Sequence, residues 1–133
     1  MSKFVVIGSG GNVELRNTPS QINRNSVAQI LGCSTVLDVA LKTQSGTYYL
    51  IGDSAGESRG KRLNRLALMF LESGIGRRVP FFGAVLIGGW QGSQLVGLDD
   101  NHALALQKEL EKQWSWVKQT NKFAQTSGMF GAV

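Results

Sequence analysis

Residues 34–52 read STVLDVALKTQSGTYYLIG, and this stretch decides the fold. Two apolar, β-prone runs, Ser34 to Lys42 and Thr47 to Gly52, flank the turn-forming Thr43-Gln44-Ser45-Gly46. The pattern predicts an antiparallel hairpin with a four-residue loop. Asp53-Ser54-Ala55-Gly56, rich in turn formers, closes it.

Upstream, Lys3 to Ile7 is a short strand that stops at Gly8-Ser9-Gly10-Gly11, and Asn12 to Arg16 returns as its hairpin partner. Thr18-Pro19-Ser20-Gln21 predicts a helix start, with proline at the first helical position and Gln21 three residues after the capping Thr18. That helix ends at Gly32, with Val27, Ile30 and Leu31 toward the core. Downstream, a second helix is predicted from Lys61 to Ser73, because Leu63, Leu66, Ala67 and Phe70 recur at helical spacing. Phe82 to Gly89 has the near-continuous apolar pattern of a buried strand, and Gln94 to Gly97 pairs back onto it.

Asp99 and Asp100 supply negative charge where a long helix begins. It runs from Asn101 to Lys122, with Ala103, Leu106, Leu110, Trp114 and Val117 lining one face. Residues 1–122 therefore read as one α+β domain. It has a mainly antiparallel sheet of about five strands, two shorter helices and a long C-terminal helix, with the helices expected on one face of the sheet. Residues 123–133 are small, polar and glycine-containing, which predicts a flexible tail or one engaged only on assembly.

Composition narrows the function classes. The 17% of charged residues lies below the roughly 25% of an average domain, yet 42% are hydrophobic, which argues against disorder and leaves neutral surface for a homo-oligomer interface. The single Cys33 forms no intramolecular disulfide and follows Gly32 in an apolar setting, so it reads as a small buried thiol in a reducing, cytoplasmic compartment. No apolar run approaches the ~20 residues of a membrane span. Met1-Ser2-Lys3 leads directly into a strand, with no signal-peptide pattern.

The net charge of +5 is confined to Arg59–Arg78, where Arg59, Lys61, Arg62, Arg65, Arg77 and Arg78 face the single acid Glu72. A concentrated positive site suits an anionic partner. Arginine makes bidentate contacts to phosphate and carboxylate, and basic charge near a helix start opposes the helix dipole. Arg59, Lys61, Arg62 and Arg65 are therefore the leading candidates for binding nucleic acid or a nucleotide, with a solvated helix face as the plain alternative. Trp90, within Gly88-Gly89-Trp90-Gln91-Gly92, reads as a loop tryptophan that contacts a ligand or anchors an interface. Trp116 points off the stripe of the last helix and suits a partner protein or a second copy.

Other chemistry finds less support. Phe4 to Gly11 resembles the opening of a dinucleotide-binding unit, but Asn12 to Pro19 does not read as a helix and the third glycine is missing. A hairpin turn is the better reading. His102 with Asp99 or Asp100 is the only acid–histidine pairing, and helix N-terminal placement accounts for all three. Asp53 and Glu57 read as turn formers or as ion-pair partners for Arg59 and Arg62. No catalytic residue, cofactor or metal ligand set is assigned.

Ile30-Leu31-Gly32-Cys33, Gly46-Thr47-Tyr48-Tyr49, Asp53, Gly56, Leu63-Asn64-Arg65-Leu66-Ala67 and Gly83-Ala84-Val85-Leu86-Ile87-Gly88-Gly89 together carry a family likeness. Over about residues 3 to 98 the chain resembles a family of small α+β proteins of unknown function from phages, plasmids and other mobile elements. It departs from the family pattern in having Leu63 where a proline precedes Asn-Arg-Leu-Ala. The basic run Arg59 to Arg62 and the helix after Asp100 are outside the pattern. The resemblance implies provenance more than mechanism; with the basic segment, the leading reading is a small non-catalytic phage or mobile-element accessory protein that binds nucleic acid or a nucleotide through Arg59, Lys61, Arg62 and Arg65. The rival reading is a protein-interaction module, such as an inhibitor of a host factor or an assembly subunit, and a third is an enzyme of unknown reaction.

Overall fold

The central hairpin forms where its sequence predicts. β4 (Val36–Thr43) and β5 (Gly46–Asp53) pair antiparallel from Val36↔Asp53 to Thr43↔Gly46, so pairing runs further into the connection than a four-residue loop allows. The computed structural model describes residues 2–17, 21–43, 46–76, 78–91 and 94–127. Around the hairpin lie β1 (Ser2–Ile7), β2 (Val13–Asn17), β3 (Gln21–Asn23), α1 (Arg24–Leu31), α2 (Arg65–Ile75), β6 (Val85–Gln91), β7 (Gln94–Val96), β8 (Leu98–Asp99) and α3 (Asp100–Ser127).

Among the described residues the sheet has eight strands and not about five. Five form the path β2-β1-β6-β5-β4, with every pairing antiparallel. The other three are very short. β7 pairs with β6, β3 pairs with β7, and β8 pairs with the first residues of β1. β7 is the predicted Gln94 to Gly97 return onto β6; β3 and β8 carry too few side chains to show a period of two, so a sequence pattern cannot register them.

Helices cover both faces of the sheet, contrary to the one-face expectation. Val5, Ile7, Leu50, Val85 and Ile87 pack against Leu66, Ala67, Phe70 and Leu71 of α2 and against Ala103, Leu106 and Leu110 of α3. The alternate residues Phe4, Val6, Ile51 and Leu86 pack against Val27 and Leu31 of α1, with Ile22 and Leu95 from β3 and β7. The cause lies in β1, β5 and β6 themselves. Each is apolar at successive positions, and a strand with no polar face must be buried on both sides.

Two helices begin later than predicted. Asn23 caps α1, its Oδ1 accepting the Ser26 amide at 2.9 Å, and Gly32 in the left-handed conformation (φ 67°) closes the other end. Gln21–Asn23 extends onto β7 instead of joining the helix. The proposed capping Thr18-Pro19-Ser20 lies outside the described residues.

α2 starts at Arg65 because Asn64 caps it and the backbone of residues 62–64 is engaged elsewhere. Asn64 N–H donates to the Phe81 carbonyl at 2.7 Å, and Gly83 N–H to the Arg62 carbonyl at 2.7 Å. Leu63 bridges to Phe82 and is 36% exposed, so it leaves the predicted core stripe. The same bridge delays β6 from Phe82 to Val85.

α3 keeps the predicted stripe through Trp114, while the Val117 side chain lies outside the described ones. The helix continues past Lys122 to Ser127, and residues 128–133 lie outside the described residues. Trp114 rests on the β1–β2 turn, where Gly11 (φ 92°) leaves no room for a side chain: a Cβ there would stand 2.0 Å from the indole.

Candidate functional site

β5 ends on Asp53, whose side chain is only 2% exposed. Its Oδ1 accepts the Ala55 amide at 2.9 Å, and its carbonyl accepts Gly56 N–H at 3.2 Å. The following chain winds tightly, with Arg59 N–H on the Ala55 carbonyl at 3.0 Å and Lys61 N–H on the Gly56 carbonyl at 2.9 Å. This turn swings Lys61 back over Asp53. Lys61 Nζ lies 2.8 Å from Asp53 Oδ2, and the Arg59 guanidinium 3.6 Å from it. The Lys61 ammonium also donates to the Leu31 carbonyl at 3.3 Å, where the exposed carbonyls of α1 attract a cation.

The cluster is thus a buried carboxylate neutralised by the basic segment itself. Burial pushes the Asp53 carboxyl up, but the Lys61 hydrogen bond, the Ala55 amide and the charges of Lys61 and Arg59 together hold it below its ordinary value. Beside it, burial raises the Cys33 thiol and the Asp53 charge adds to the rise, against the opposing pull of Lys61 and Arg59. A raised thiol is a weak nucleophile at neutral pH.

The five described basic residues therefore do not form one open patch. Lys61 is an internal tie joining β5 to the end of α1. Arg59 is half-exposed and shares Asp53. Arg62 is exposed and pairs with no described carboxylate, and Arg65 is exposed in the first turn of α2. Arg78 is 72% exposed, 3.6 Å from Glu72, and follows the far end of α2, roughly 16 Å of helix away. Arg77 lies outside the described residues. Of the expected carboxylate pairs, Asp53 joins Arg59 and Lys61 in place of Arg62, and Glu57 is exposed.

Trp90 belongs to β6, not to a loop, and packs half-buried against the α1-side core. The Arg24 guanidinium covers its ring at 4.8 Å and also lies 3.3 Å from Asp38. Trp116 is 61% exposed, beside a hollow of about 270 Å³ edged by Met69, Ser73 and Gln113.

Sequence reasoning missed Asn64, which is fully buried and joins three parts of the fold. Its Nδ2 donates to the Ile7 and Gly83 carbonyls, each at 2.9 Å, while Oδ1 accepts the Ala67 amide at 3.1 Å. An asparagine just before an apolar helical stripe is the signal that could have found it.

The remaining sequence candidates resolve structurally. Gly8 to Gly11 form the β1–β2 turn, with Gly8 N–H on the Asn12 carbonyl at 2.8 Å, so no helix follows the glycines as a dinucleotide site requires. Asp99 caps α3, accepting the His102 amide at 2.8 Å and meeting its imidazole Nδ1 at 2.6 Å. The amide bond, outweighing slight desolvation, together with the imidazole lowers the Asp99 carboxyl. Among the described residues, no group of three or more His, Cys, Asp or Glu is placed to hold a metal, and no helix is long and apolar enough to cross a membrane.

Fold and site together describe a small α+β protein whose basic segment is part structural tie and part exposed arginine surface. No family model, curated protein or solved structure matches the chain.

Proposed function

We propose that this chain is a non-catalytic accessory protein of the phage and mobile-element kind, binding an anionic partner through Arg59, Arg62 and Arg65. Nucleic acid is the preferred partner and a nucleotide the second choice. The observation that carries the reading is the charge left over once Asp53 is accounted for. Lys61 takes Asp53 from the inside, leaving Arg59 half-exposed on the turn and Arg62 exposed just after it. Exposed guanidinium groups of one sign attract phosphate and release its counterions on contact.

Fluorescence anisotropy with a labelled single-stranded oligonucleotide tests this. The dissociation constant should rise roughly tenfold or more between low and physiological salt. Arg62→Glu with Arg65→Glu should abolish most of the binding, whereas Lys61→Met should lower stability and leave affinity nearly intact. Salt-independent binding, or full affinity in the double variant, refutes the reading.

A protein-interaction role is the second reading, and the 61% exposure of Trp116 beside an apolar hollow favours it. Binding of that kind would resist salt and fall with Trp116→Ala. Trp90, half-buried in β6 under the Arg24 guanidinium, is less exposed than Trp116.

A further inference from the structure

The five-strand path ends on β2 at one side and β4 at the other, and among the described strands each has a single neighbour along that path. An open edge presents unpaired N–H and C=O groups to any strand that fits, unless something blocks it. β2 is blocked. It is five residues long, Glu14 and Arg16 already meet each other at 2.6 Å, and Gln107 of α3 donates to its Val13 carbonyl at 3.4 Å. β4 has eight residues and no proline, about 27 Å of extended chain. α2 packs on one of its faces and α1 on the other, which among the described residues leaves the edge between them open.

Alternation along β4 places Leu37, Val39 and Leu41 toward the α2 face, and Asp38, Ala40 and Lys42 toward the α1 face. Leu37 is 39% exposed. Lys42 is exposed and pairs with no described carboxylate, and Asp38 has only Arg24 beside it at 3.3 Å.

We propose that β4 pairs antiparallel with β4 of a second copy of this chain, about a two-fold axis at Ala40, joining the two sheets into one. A two-fold normal to the sheet opposes only residues of the same face, so few registers exist. Centring on Asp38 sets that carboxylate against itself, which repels. Centring on Val39 opposes Asp38 to Ala40 and Lys42 to Val36, and centring on Leu41 opposes Lys42 to Ala40. Only the axis at Ala40 sets Asp38 of each copy opposite Lys42 of the other. It also sets Val39 opposite Leu41 twice on the apolar face, the cross-strand pairing that stabilises sheets.

Light scattering on the full chain should give twice the 14.4 kDa of one copy. Ala40→Glu, which opposes two carboxylates at the axis, should raise the dimer dissociation constant roughly tenfold or more. Lys42→Glu should weaken the dimer likewise, and adding Asp38→Lys should restore it. Circular dichroism checks that each variant keeps the fold.

Cross-linking tests the register in a Cys33→Ala background. Ala40→Cys should link the copies on mild oxidation, since opposed Cα atoms stand about 5 Å apart, within disulfide reach. Leu37→Cys should not, because its counterpart is shifted six residues away, about 20 Å. A monomeric mass at every concentration overturns the proposal. So does a dimer indifferent to Ala40→Glu, or cross-linking at Leu37 equal to that at Ala40.

Discussion

Asp53 shows how a single side chain changes the meaning of a charge run. Alone it would be a buried carboxylate of prohibitive cost; with Lys61 at 2.8 Å and Arg59 at 3.6 Å it becomes a tie between β5, the following turn and α1. Its carboxyl is lowered, so the folded state holds the charged form more firmly than the unfolded chain does. The stability it contributes is therefore complete above the ordinary carboxylate value near 4 and is lost as pH falls through the lower folded value. Asp53→Asn should cost about 1–2 kcal/mol at neutral pH, less than a fully buried pair because both cations reach solvent. The variant should also lose less stability than the parent on acidification, as urea unfolding at two pH values would measure. Asp53 was legible in sequence as a turn former or ion-pair acid. That Lys61 would be its partner was not, because the choice depends on how the 54–60 turn folds back.

At the scale of elements, caps decide where helices begin. Asn64 shows the competition: the apolar stripe extends back to Leu63, yet the helix starts at Arg65 because residues 62–64 bond to residues 81–83. Asn64→Ala should destabilise the protein by about 2–3 kcal/mol, since it removes the cap and strands the buried Ile7 and Gly83 carbonyls. Equilibrium denaturation checks the value, and Asn64→Asp should cost at least as much, because a carboxyl oxygen would then face the Ile7 and Gly83 carbonyls in a buried site. Elements with long, regular patterns were readable in the sequence: β1–β2, β4–β5, β6–β7 and α3. Those whose ends are set by distant backbone, α1 and α2, were displaced by several residues. Gln21–Asn23 and residues 62–64 carry no local mark of the strands they join.

For the whole molecule, β6 is the shared wall of two cores. Leu86 faces α1 and Ile87 faces α2 and α3, and both are fully buried. Leu86→Ala and Ile87→Ala should each cost about 2–5 kcal/mol, the usual penalty for emptying a packed site. Both should do so within one cooperative transition, visible as coincident fluorescence and circular dichroism curves, because neither core can open without the strand. Two separate transitions would show that the cores unfold independently. The sequence by itself determined the class of fold, the central hairpins and the long C-terminal helix, because periodicity and turn chemistry are local properties. Only the tertiary structure decided that helices cover both faces, that β3 and β8 complete the sheet, and which of the basic residues turn inward. Those outcomes depend on contacts between residues far apart in the chain, such as Lys61 with Leu31 and Asn64 with Ile7, and no local pattern encodes them.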